Sequence, residues 1–130
     1  VRRTGQNVLR EARGVSRTDT VGKLAESVMR AVAAGTLRRT MDEVQARRSS
    51  GVVWKWVEEG TAVRAQFRLG DVLEDAEVVV SQRLDAGTGE MVSEVRVGDK
   101  KTERRFGGGE SVGAVADGTA SMLEKLVRED

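Results

Sequence analysis

Residues 50–67 read SGVVWKWVEEGTAVRAQF, and the fold turns on whether this stretch is a strand or a helix. Its first part, VVWKWV at 52–57, is rich in β-branched and aromatic side chains and suits a strand. Against that, Val53, Trp56, Val57, Val63 and Phe67 share one helical face, with Gly60 and Arg64 between them. Ser50 stands where an N-cap belongs, and Gly70 follows as a stop signal. Periodicity sustained over the whole stretch outweighs propensity over its first third, so a helix is expected.

Outward from it, MDEVQAR at 41–47 reads as a short strand that sends Val44 and Ala46 into a core. Before that, Val21, Leu24, Ala25, Val28, Met29 and Val32 mark one face of a helix starting at Thr18 or Asp19 and ending at Gly35. LRRT at 37–40 is then a basic connection. VLREARGVS at 8–16 alternates weakly and reads as a first strand. On the C-terminal side, 68–76 is an acidic loop. EVVVSQRL at 77–84 and MVSEVRV at 91–97 are strands of a hairpin whose tip, DAGTGE, carries turn glycines. KKTERR at 100–105 is a charged run and FGGG at 106–109 a hinge. In the tail, Val112, Val115, Ala116, Thr119, Met122, Leu123 and Leu126 make an amphipathic stripe. Gly113 and Gly118 weaken that last helix, so it is expected to be ordered only where its stripe docks, on its own sheet or on a partner.

Composition narrows the function. The chain of 130 residues has neither cysteine nor histidine, which removes disulfides, thiolate chemistry, the usual zinc sites and histidine acid–base catalysis. Asp42-Glu43, Glu58-Glu59 and Glu74-Asp75 are sequence neighbours whose side chains diverge, so no facing acid–base pair is indicated. Gly107-Gly108-Gly109 lacks the Lys-Ser/Thr of a phosphate loop. An enzyme is not expected, and neither a cofactor nor a metal. No apolar run is long enough to span a membrane. The net charge of +1 hides an asymmetry: residues 1–70 hold fourteen Lys/Arg against seven Asp/Glu, and residues 71–130 eight against fourteen. A basic half suggests a polyanion, unless the two halves interleave and neutralise each other.

The inferred order, β-α-β-α-β-β and then a helix, meets a known family in its residues. ARGVSRTDTVGKLAESVMRAVAAG, EVQARRSSGVVWKWVEEGTAVRAQF and VSEVRVGDKK resemble the strand–turn–helix, the strand–junction–helix and the closing strand of the Alba family of small nucleic-acid-binding proteins. The resemblance covers residues 10–101. It implies an α+β two-layer sandwich, flanked by a basic start at 1–9 and by a linker and appended C-terminal amphipathic helix at 102–130. The C-terminal domain of bacterial translation initiation factor three and the stage-five S sporulation proteins share this topology. The chain departs from the family in carrying Arg47 and Arg48 ahead of Ser49-Ser50-Gly51 instead of a glycine–arginine step. Its hairpin arm carries Asp85 and Glu90 beside Arg83.

In such a sandwich both helices start on one edge. Arg13, Arg17 and Lys23 from the first turn would join Arg47, Arg48, Ser50 and Lys55 from the second, with Arg83 on the arm, as a phosphate-binding edge. Trp54 would stack on an unpaired base or, the favoured use, bury itself in an interface, to which Met122, Leu123 and Leu126 of the tail would also belong. The resulting expectation is an RNA- or DNA-binding domain, RNA foremost, in a ribonucleoprotein context. It would act as a homo- or heterodimer or as one subunit of a larger complex. The alternative is a structural subunit of a larger assembly held by protein contacts. Either would be intracellular, in the cytoplasm or an organelle.

Overall fold

The computed structural model describes residues 18–48, 52–69 and 76–128, with the backbone alone for 18–22. The expected strand at 8–16 and the junction at 49–51 lie outside these residues. In order, the chain forms α1 (Thr18–Arg47), β1 (Lys55–Glu59), β2 (Ala62–Leu69), β3 (Ala76–Leu84), β4 (Met91–Val97), β5 (Lys100–Phe106) and α2 (Val112–Arg128). The class is α+β as expected, but the order of helices and strands differs from β-α-β-α-β-β.

From residue 52 to 67 the deciding stretch is not a helix. It is the first hairpin, with β1 antiparallel to β2 in the register Lys55↔Gln66 to Glu59↔Ala62. AVRAQFRL alternates at period two, and Val63, Ala65, Phe67 and Leu69 are all buried while the residues between them are not. That alternation, not the coincidence of i+3 and i+4 spacings, decides the conformation. Gly60, at φ 60°, takes the first central position of the two-residue turn, where a type II′ hairpin requires positive φ. Gly98, at φ 58°, does the same between β4 and β5.

Nor does the first helix stop at Gly35, and 41–47 is not a strand. α1 runs through both, because its buried stripe continues as Ala33, Leu37, Met41 and Val44 at helical spacing. Two threonines share that face. Thr36 and Thr40 return their hydroxyls to the carbonyls of Val32 and Thr36 at 3.1 and 2.9 Å, so neither buries an unmet donor. The charged run at 100–105 is strand β5, paired with β4 from Val97↔Lys100 to Met91↔Phe106. The expected hinge begins with Phe106, which is buried at the end of that strand.

The sheet is a meander in the order β1-β2-β3-β4-β5, antiparallel throughout. Both helices lie on one face, α1 over β2 and β3, α2 over β4 and β5, in contact with each other. α2 is the amphipathic helix foreseen from sequence. Ser111 caps it, its hydroxyl accepting from the Ala114 N–H at 3.1 Å. Its stripe of Val115, Ala116, Thr119, Ala120, Leu123 and Leu126 is buried on the chain's own sheet. At its other end the Lys100 ammonium donates to the Leu126 carbonyl at 3.1 Å, satisfying one of the orphan acceptors of a helix terminus. Burying a leucine such as Leu37 or Leu123 contributes about 1.5–3 kcal/mol. The apolar layer they build is therefore what holds the two helices down.

A polar knot sits in the middle of this layer. Gln82, fully buried on β3, brings its side-chain amide nitrogen to 3.0 Å from Thr40, 3.1 Å from Ser93 and 3.2 Å from Thr119. Thr119 also donates to the Val115 carbonyl at 2.8 Å. Four elements, α1, β3, β4 and α2, thus meet at one amide, and each buried hydroxyl has a partner.

Candidate nucleic-acid interface

With both helices on one face, no described helix or strand covers the other face of the sheet, and strand register fixes which residues it carries. One row crosses all five strands as Lys55, Gln66, Val79, Arg96 and Lys101. The next is Val57, Arg64, Ser81, Glu94 and Glu103, and the third Glu59, Ala62, Arg83, Val92 and Arg105. The first row carries three cations and no anion. The second and third mix the signs and neutralise themselves. Arg64 reaches Glu59 at 2.9 Å, and Arg105 reaches Asp85 at 2.9 Å and Glu90 at 3.2 Å. These bonds hold the Asp85 carboxyl below its ordinary range, the Arg105 guanidinium first and the Gly87 N–H second. In the first row Arg96 touches Glu94 only at 3.8 Å, while Lys55 and Lys101 have no ion pair among the described residues. A shallow trough lined by Gln66, Glu77, Val79, Ser81, Arg83, Glu94 and Arg96 runs along the same face.

The residues expected to bind nucleic acid do not converge as the sequence suggested. Arg13, Arg17 and Ser50 lie outside the described residues. Lys23 is exposed near the start of α1, and Arg47 and Arg48 end the same helix some 36 Å away at 1.5 Å per residue. They stand at a helix C-terminus, where free carbonyls repel phosphate, and not at the N-terminus that was expected. Arg47 is also engaged: it bonds Glu43 at 3.0 Å, Ser121 at 3.1 Å and Glu124 at 3.3 Å, and pairs with Asp117. Those carboxylates, Glu43 first, raise its pKa further. Lys55 and Arg83 do share a surface, the uncovered sheet face, in its first and third rows.

Of the expected interface residues, Leu123 and Leu126 are buried in the chain's own core and Met122 packs against it half-buried. Trp54 is half-buried beside β1, its ring 5.3 Å from that of Trp56, over which Arg38 stacks at 5.1 Å. The sequence reading missed Arg96 and Lys101. Their signal was present in the alternation of EVRVGDKKTE, which a reading of KKTERR as a charged run discards.

Comparison of the chain with protein-family models, curated proteins and solved structures finds no match. Among the described residues no helix is long and apolar enough to cross a membrane.

Proposed function

We propose that the protein binds nucleic acid, single-stranded RNA foremost, across the uncovered face of its sheet. The observation that carries this is the row Lys55, Gln66, Val79, Arg96, Lys101, which sets three cations without an intervening carboxylate along one line over all five strands. Strands spaced about 4.8 Å apart make that line roughly 19 Å long. A five-stranded face of this width is too broad to enter a major groove about 12 Å wide, which favours an unpaired strand laid over it. No aromatic side chain lies in the three rows, so contacts go to phosphate and sugar, and binding is expected to be weakly selective for sequence.

The test is fluorescence anisotropy with a single-stranded RNA oligomer over a salt series. In the Arg96→Ala/Lys101→Ala variant the log–log salt slope should fall by about 0.7 per lost contact. Arg47→Ala, whose guanidinium is held by carboxylates, should bind like the parent. Equal affinity and slope in parent and double variant would remove the row from the model.

A second reading, a subunit held by protein contacts, is favoured by a different observation. Val53, at 96% exposed, and the half-buried Trp54 lead into the edge strand β1, which carries the half-buried Trp56.

A further inference from the structure

The two edges of the sheet carry different charge patterns. β5 reads KKTERRF. Antiparallel pairing of one strand with a second copy of itself about a two-fold axis opposes residues placed symmetrically about a central one. Centring β5 on Thr102 sets Lys100 against Arg104; centring it on Glu103 sets Lys101 against Arg105. Centres at Lys101, Arg104 or Arg105 oppose that cation to its own copy. A like-charge pair is unfavourable in a ladder, so β5 is an edge blunted against its own kind.

β1 behaves oppositely. Its sequence KWVEE, centred on Val57, sets Lys55 against Glu59 of the second copy, twice by symmetry, and Val57 against Val57. Trp56 comes opposite Glu58, to which its indole already donates at 3.1 Å within one chain. No like charges oppose each other in this register.

Hydrogen-bond parity agrees. In a hairpin with a two-residue turn the flanking pair, here Glu59↔Ala62, exchanges backbone bonds, and so do Val57↔Arg64 and Lys55↔Gln66. The N–H and C=O groups of Trp56 and Glu58 therefore point away from β2. Centring on Val57 places Trp56 opposite Glu58, so these groups, which pair with no described strand, face each other. On the helix side β1 lies at the rim, since α1 sits over β2 and β3 and reaches β1 through side chains, Arg30 to Glu58 at 3.4 Å and Arg38 over the Trp56 ring. Trp54 and Trp56 lie there half-buried, next to the exposed Val53.

We infer that the occupant of the β1 edge is a second copy of this chain, joined antiparallel about a two-fold axis at Val57 into one continuous ten-stranded sheet. The contact is isologous, and the self-repelling β5 edges stop growth at two chains. It does not depend on nucleic acid, and its test contains none.

The chain has no cysteine, so Val57→Cys creates a single thiol. In the dimer the two Cβ atoms should stand about 4.5–5.5 Å apart, and mild oxidation should give a disulfide-linked dimer in high yield. Lys55→Cys, whose opposite residue is Glu59, should not cross-link to itself but should cross-link when mixed with Glu59→Cys. Sedimentation velocity tests the charges. Lys55→Glu and Glu59→Lys should each weaken association on the order of tenfold, and the double exchange should restore it. A parent that stays monomeric into the high-micromolar range would overturn the proposal. So would a dimer that both charge variants leave intact, or a double exchange without recovery in a variant with a parental circular dichroism spectrum.

Discussion

Gly35, expected as a helix stop, and Gly118, expected inside a helix, both lie within helices, and the structure gives them opposite roles. Nothing lies within 4 Å of where a Cβ on Gly35 would sit. That glycine is exposed in the middle of α1 and weakens it without compensation, so Gly35→Ala should stabilise the protein by about 1 kcal/mol. A Cβ on Gly118 would come within 2.7 and 2.9 Å of the Phe106 ring. There the missing side chain is what lets the buried ring pack under α2. Gly118→Ala should cost about 1–2 kcal/mol, the clash outweighing the gain in helix propensity. Urea unfolding of the two variants beside the parent reads both signs at once. Two shifts in the same direction would contradict this assignment. Gln82 makes a related point. It shares the inward parity of Val78 and Val80, so its place in the core could be read from alternation, but the three hydroxyls that satisfy it come from separate elements and could not.

Among the elements, the β3–β4 hairpin was the most legible, with strands expected at 77–84 and 91–97 and found at Ala76–Leu84 and Met91–Val97. Its tip is fixed by Asp85, whose carboxylate accepts the Gly87 N–H at 2.9 Å and the Arg105 guanidinium at 2.9 Å. Because the folded pKa of Asp85 is lowered, its contribution is fully present above the ordinary aspartate range, near pH 4, and is lost as pH falls through the folded value. In an NMR titration the Asp85 midpoint should lie below that range. In Arg105→Gln it should move back up, since the largest cause is removed; an unmoved midpoint would assign the shift to the turn's backbone alone. The first hairpin was misread for a physical reason. Trp56, Val57, Val63 and Phe67 satisfy a helical spacing by coincidence, and the arbiter was AVRAQFRL, where strict alternation continues past the point at which a helix face would have broken it. Gly35 misled in the same way, since a glycine ends a helix only where the apolar stripe also stops, and here Leu37, Met41 and Val44 carry it on. Of the candidate site, Lys55 and Arg83 were named from the sequence, though Lys55 was placed on a helix where the structure has a strand. The rows that join Lys55 to Arg96 and Lys101 were not readable, because they depend on the order and register of five strands.

At the scale of the whole molecule, the basic half of the chain and the acidic half do meet, and Arg47 is where they are tied. It closes α1, yet three of its partners, Asp117, Ser121 and Glu124, belong to α2 seventy or more positions later. Neutralisation is thus local. It spends the arginine that the sequence offered for phosphate on holding two helices together, and among the described residues it leaves Lys55 and Lys101 of the first sheet row without an ion pair, Arg96 meeting Glu94 at 3.8 Å. The arrangement differs from an ordinary surface pair in geometry: the Arg47 side chain is 23% exposed and meets three carboxylates, whereas Arg128 is 76% exposed and meets one. Exposed single pairs contribute little, and networks on a shielded arginine contribute more. Arg47→Ala should therefore destabilise the protein by about 1 kcal/mol in low salt, while Arg128→Ala should be close to neutral. Raising the ionic strength should narrow the gap between Arg47→Ala and the parent, because Asp117 is open to screening ions. Chemical unfolding by urea, which leaves ionic strength unchanged, is the appropriate measurement at each salt concentration. If Arg47→Ala matches Arg128→Ala at every salt, the contact between the halves is carried by the apolar layer alone, and Arg47 is free to serve a phosphate after all.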